Sequence, residues 1–151
     1  MLSGGHGQAA ATPTPIVLAA VSSDGQWLVT ADTARRMHVF HLDTLSHQRA
    51  LATPAYVPSG ACFHPTHPSL LALVLPTNQV SFYDLEADGE APAWEAALRR
   101  DLDAALSRIR EPVVGCTWLP GPDGHASLCV YGPTWICTAR PLTTLSRTSR
   151  K

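Results

Sequence analysis

Residues 61–86 read ACFHPTHPSLLALVLPTNQVSFYDLE. A short strand, residues 60–63, leads into His64-Pro65-Thr66-His67-Pro68. Two prolines there remove amide donors and restrict the residues before them, so this segment turns instead of starting a helix. Residues 70–75 form an uninterrupted apolar strand. Pro76, Thr77 and Asn78 turn the chain again. Residues 79–85, QVSFYDL, then alternate with the period of two that marks a strand. The stretch is a strand-turn-strand-turn-strand unit, and nothing in it is arranged to perform chemistry.

The same pattern lies on either side. Residues 16–22, IVLAAVS, are a continuous apolar run, expected to be a strand covered on both faces. Asp24-Gly25 makes a tight turn, because glycine accepts the positive φ required. Residues 26–32 resume a strand, 33–36 turn, and 37–42, MHVFHL, alternate. A weaker, more polar fourth strand follows at 47–52. Beyond the central unit, residues 113–119 read as a strand, PGPDG at 120–124 as a strong turn, and 126–131 and 135–139 as strands. Laid over one another, Val21 to Gly25 before Trp27-Leu28 matches Phe63 to Pro68 before Leu70-Leu71, and Trp118 to Gly124 before Ser127-Leu128. The first two copies are offset by about 42 residues, inside the range of roughly 40–45 for WD-type propeller blades. The third copy falls about 13 residues later than that period.

Residues 93–110 account for the excess. Trp94, Ala97, Leu98, Leu102, Ala105, Leu106 and Ile109 recur at helical spacing, with Glu95, Arg99, Arg100, Asp103, Ser107 and Arg108 on the other face. Pro112 limits continuation. This is an amphipathic helix inserted between blades, its arginines a solvated face. Residues 1–15 are rich in Gly, Ala, Thr and Pro, a flexible lead-in. Residues 142–151 are a polar, frayed tail whose basic tip, RTSRK, is read as a solvated end.

The expected fold class is therefore all-β: a WD-repeat β-propeller fragment of about two and a half to three blades, with one inserted helix. The blades span 16–53, 58–92 and 112–141, with the helix at 93–110. A blade is a small sheet with two apolar faces, so neighbours must stack on it. The runs IVLAAV, LLALVL and SLCVY suit such inner strands. Tyr83-Asp84 stands where a third strand ends in an aromatic-Asp pair, and Phe40-His41 takes that place in the first copy. The Gly-His pair that precedes such blades is missing. Propellers need at least about four blades, so these copies do not close a ring alone: the chain reads as a piece of a longer protein or as an incomplete coding sequence, with a ring completed by another chain as the alternative.

Composition narrows the function. The chain is 45% hydrophobic and 15% charged, with net charge −1, which fits a core-forming domain with no basic field for nucleic acid. Its longest apolar runs are too short to span a membrane, and residues 1–15 lack the pattern of a signal peptide. Cys62, Cys116, Cys129 and Cys137 are then expected to be reduced, buried thiols of an intracellular protein.

The run Ala20-Val21-Ser22-Ser23-Asp24-Gly25-Gln26-Trp27-Leu28, then His38-Val39-Phe40, Pro54-Ala55-Tyr56, and Asn78-Gln79-Val80 with Phe82-Tyr83, resembles the late blades of cirhin-type WD-repeat proteins of the small-subunit processome. A Trp-containing insert (Trp94) and the blade entry Glu111-Pro112-Val113-Val114 extend the likeness, which covers about residues 16–141. The resemblance implies a non-catalytic nucleolar scaffold that supports transcription and processing of pre-ribosomal RNA for the small subunit. Its implied partners are other WD-repeat and helical subunits of that assembly, with pre-rRNA as a further candidate contact. It implies no membrane and no small-molecule substrate. A WD adaptor in another complex is the alternative.

No catalytic, cofactor-binding or metal-binding residue is expected. Cys62, His64 and His67 are close in sequence, but zinc requires four placed ligands and no Cys-x-x-Cys is present. His64 and His67 are read as turn residues. Ser22, Ser23 and Asp24 form a turn, with no Gly-x-Ser-x-Gly elbow. Gly4-Gly5-His6-Gly7 lacks the Lys-Ser/Thr of a phosphate loop. Asp84, near Glu86, is read as a structural residue hydrogen-bonded within its blade. Tyr56, Phe63 and Phe82 sit in or beside core strands without the interleaved basic residues of an RNA-stacking surface.

Overall fold

Turn residues cut the chain into short strands much as their spacing predicts. The computed structural model describes residues 13–87, 93–122 and 124–140, with backbone only for residues 93 and 94. The expectations for residues 1–12 of the lead-in, Gly4 to Gly7 among them, and for Asp123, the side chain of Trp94 and the polar tail lie outside the described residues. Thr14 and Pro15, at the end of the lead-in, bond to Asp32, Arg36 and Thr33. Strands β1 (Ile16–Val21), β2 (Trp27–Asp32), β3 (Met37–His41) and β4 (Ser46–Leu51) form one antiparallel sheet in that order. β5 (Gly60–Phe63), β6 (Leu70–Val74) and β7 (Val80–Asp84) form a second. After the helix α1 (Ala93–Leu106), β8 (Gly115–Pro120), β9 (Ala126–Tyr131) and β10 (Ile136–Ala139) form a third. Each sheet is a meander, and β1, β5 and β8, the first strand of each, lie next to one another.

Alternation decides which side chains meet. In the first sheet Val29, Ala31, Met37 and Val39 point to the second sheet and pack on Phe63, Leu71, Leu73 and Leu75. On the other face of the second sheet, Ala72, Val74, Val80 and Phe82 join Cys116, Trp118, Leu128 and Val130 of the third. β6 is buried along its whole length because it carries one residue set into each core. The middle strands β2 and β9 are mostly buried as well. β1 departs from expectation. Ile16, Val17 and Val21 are 64, 49 and 55% exposed. Leu18 and Ala20 pack towards the second sheet, while no described element covers the opposite face. The strand buried on both faces is thus the second of a blade, and IVLAAV holds the first position.

Helix α1 replaces a strand. β7 ends at one rim, and only eight residues separate Asp84 from Ala93. The helix then runs back to the other rim, where Ile109 meets Asn78. Its 14 residues span about 21 Å at 1.5 Å per residue, the length of a six-residue strand. Leu98, Leu102 and Leu106 fill the wedge between the second and third sheets. The helix stops four residues short of the expected end, where the amide of Ile109 bonds the carbonyl of Leu106 at 3.0 Å and tightens the last turn. Glu95 was expected on the solvent face but is buried. It lies three residues before Leu98 on the same stripe, and Arg99 reaches it at 2.7 Å. Burial raises its pKa, and Arg99 partly offsets the rise. Ala105 is exposed, which narrows the apolar stripe.

An isolated helix of this length is marginal, so the leucine stripe must hold it. Leu102→Ala is expected to destabilise the chain by about 2–5 kcal/mol through lost burial and a residual cavity. The exposed Arg100→Ala should stay within about 0.5 kcal/mol. Urea unfolding of both variants checks this.

Candidate functional site

The candidate surface has four parts: two rims made of turns, and the two outward sheet faces. At one rim lie the turns after β2, β6 and β9 and the connections into β5 and β8. Asp32 ends β2 and accepts from the Thr14 hydroxyl at 2.6 Å and from the Arg36 amide and guanidinium, both at 2.9 Å. These contacts, led by Thr14, hold its carboxyl down to about 2. Arg35, at φ 66°, donates to the Ala55 carbonyl at 2.8 Å and ties this turn to the next connection.

Asn78 performs the same task one sheet on, with more bonds. Its φ of 63° is a left-handed value that asparagine tolerates better than most residues. Its side chain gives both hydrogens to the carbonyls of Ile109 and Glu111, each at 3.2 Å, and takes the Val113 amide at 2.7 Å. One turn residue therefore closes the loop between α1 and β8. Thr134 adds a 2.6 Å bond to Glu111. In the sequence Asn78 signals only a turn.

The opposite rim holds the turns after β1, β5 and β8. Ser22 Oγ donates to Asp24 at 2.6 Å and accepts the Trp27 amide at 2.9 Å. With the Gln26 amide, this lowers the Asp24 pKa. Ser22, Ser23 and Asp24 are turn formers, and Gly25 supplies φ 73°. Ser23 reaches across to the His64 carbonyl at 3.3 Å. His64 Nδ1 accepts the amides of Thr66 and His67 at 3.2 and 3.1 Å. Its ring lies 4.5 Å from Trp118 and 4.8 Å from His67. Burial, then the neighbouring His67, push the imidazole down to about 4. Asp84 Oδ1 accepts the amides of Glu86 and Ala87, capping the turn after its strand. Arg49 of β4 bonds the Leu85 carbonyl at 3.0 Å, linking the first sheet to the second.

Cys62, His64 and His67 do not converge. His64 is held by backbone and Trp118, while Cys62 Sγ lies 3.2 Å from Cys116 Sγ of the neighbouring sheet. Among the described residues no three His, Cys, Asp or Glu side chains are grouped to hold a metal ion. Phe63 and Phe82 are buried, and Tyr56 is half exposed in the connection to β5. Two adjoining hollows of about 300 and 310 Å³ flank α1 beside β7 and share Gln79 and Asp103.

The outward faces are the apolar part of the surface. On the first sheet the residues alternate with its core: Val17 and Val21 on β1, Leu28 on β2, and His38 and Phe40 on β3. His38 meets His47 at 3.0 Å, ring nitrogen to ring nitrogen. On the third sheet Leu119, Tyr131 and Ile136 are 42, 38 and 69% exposed, and Tyr131 and Ile136 are directly opposed. Such patches on a sheet face mark a surface built to be covered.

No family model matches the sequence, and no curated protein matches it either. Solved structures do match. The β-propeller domain of Cps50 (Swd1) from Myceliophteria thermophila superposes with TM-score 0.52 at 13% identity, over 83% of this chain and 38% of that one. The WD40 repeats of RRP9 give TM-score 0.51 at 14% identity, over 75% and 33%. U3-55K gives 0.50 at 12%, over 82% and 36%. The fold is that of a WD40 β-propeller, present here in part. The chain spans about a third of the length of the solved propellers it matches.

Asn78→Gly should keep the left-handed turn yet strand the Val113 amide, for a loss of about 1–3 kcal/mol. Asn78→Ala should lose more, because alanine adds backbone strain at positive φ. Chemical denaturation ranks the two. His64 binds protons more weakly folded, near 4, than unfolded, near 6.5. Its contribution is therefore complete above about pH 6.5 and is lost as pH falls towards 4. The variant His64→Asn should flatten that part of the stability–pH curve, as measured by denaturation at stepped pH.

Proposed function

We propose that this chain is a scaffold segment in ribosome biogenesis, acting without catalysis in the nucleolus. It supports transcription and processing of pre-rRNA for the small subunit by holding other WD-repeat and helical subunits in place. Pre-rRNA is a candidate contact within that assembly. One observation carries the reading. The residues that resemble the cirhin-type proteins fall in order on successive blades, as Trp27-Leu28 in β2, His38-Val39-Phe40 in β3 and Phe82-Tyr83 in β7. Two supports come from the structure. The outward faces carry exposed Val17, Val21, Leu119, Tyr131 and Ile136, as a segment that docks against further sheets requires. The turn residues with polar chemistry (Ser22, Asp24, His64, Asp84) are engaged with backbone and neighbouring side chains. No helix among the described residues is long and apolar enough to cross a membrane.

A tagged protein should concentrate in the nucleolus, and its depletion should cause unprocessed small-subunit pre-rRNA to accumulate. A tag found elsewhere, with normal pre-rRNA processing on depletion, would place the chain in another complex as a WD adaptor.

A further inference from the structure

The innermost strands β5 and β8 belong to different sheets, yet their backbones nearly touch. A Cβ built on Gly60 would lie 2.9 Å from Gly115 Cα and 3.1 Å from the Cys116 nitrogen. Only glycine at 60 permits that approach. Cys62 follows two residues along β5, on the face turned to the third sheet, where it packs against the same core as Cys116. The S–H of Cys62 points at Cys116 Sγ across 3.2 Å. A covalent bond would need the sulfurs about 2.05 Å apart, so oxidation must draw them together from 3.2 Å. Both are free thiols here.

We propose that Cys62 and Cys116 are an oxidation site that latches the second sheet to the third. The oxidant is a small disulfide such as glutathione disulfide. The Cys62 thiolate, on the more exposed of the two residues, attacks one glutathione sulfur, and the first glutathione leaves and takes a proton. Cys116 then attacks the mixed disulfide at Cys62, forms the S–S bond between the strands and releases the second glutathione with the other proton. Two protein thiols are oxidised and one glutathione disulfide is reduced to two thiols.

The bond closes a loop that contains β6, β7 and α1, so the helix wedge could no longer open. The hydrogen bond to Cys116 and burial both push the Cys62 thiol up, which makes the latch slow at neutral pH and faster in alkali.

The test equilibrates the full chain with glutathione disulfide at pH 8, alkylates free thiols and maps the digest without reduction. The expected result is one crosslink joining the Cys62 and Cys116 peptides. Cys129 and Cys137 should be alkylated, and the melting temperature should rise by about 5–10 °C, reversed by dithiothreitol. Cys62→Ser and Cys116→Ser should each abolish the rise, and Cys129→Ser should keep it. Four alkylated cysteines, a crosslink through Cys129 or Cys137, or glutathione retained on Cys62 as a stable mixed disulfide would each overturn the proposal. The wild-type digest decides alone if a variant fails to fold.

Discussion

A meandering sheet of three or four short strands has two apolar faces and no layer of its own to cover either. Every larger feature of this chain answers to that constraint. The second sheet meets it fully: Leu71 and Leu73 enter one core and Ala72 and Val74 the other, which is why β6 has no exposed position. The first and third sheets meet it on one side each. Their remaining faces keep Val17, Val21, Tyr131 and Ile136 in contact with solvent.

Stacked sheets fan apart from their inner strands, and the gap between them must be filled. Near the inner edge Gly60 lets β5 and β8 approach until backbone meets backbone. Between the second and third sheets α1 fills the gap with three leucines. The helix follows β7 in chain order and runs antiparallel to it, in the place where the first sheet has β4. A strand in that place would extend the sheet by backbone bonds, whereas a helix bonds within itself and contributes only side chains. The wedge therefore depends on a leucine stripe and not on a ladder, and Asn78 supplies the polar fastening at its end.

Much of this was legible in the residues. Proline and glycine placed the turns, alternation placed β3 and β7, and apolar runs placed β6 and β9. The period of blades could be counted because one unit recurs. Helical spacing gave α1, and the same spacing carried Glu95: it lies three residues before Leu98, so its burial was readable from position even though its charge argued for solvent. The candidate surface was less legible. Asn78 looks like any turn asparagine, and its three bonds go to residues 31 to 35 positions away. Cys62 and Cys116 are 54 residues apart and share no motif. His64 and His67 read as turn residues, and the backbone amides and Trp118 that engage the His64 ring lie partly outside that turn.

The sequence by itself determined the local grammar: strand, turn, strand, and one amphipathic helix. Those depend on φ preferences, amide donors and side-chain period, all of which act within a few residues. Only the tertiary structure decided which face of each strand is covered, which strand of a blade is innermost, and which side chains meet across sheets. Those outcomes depend on stacking, which brings together residues with no relation in the chain. An apolar run such as IVLAAV can state that it will be a strand. It cannot state whether a second sheet will lie over it.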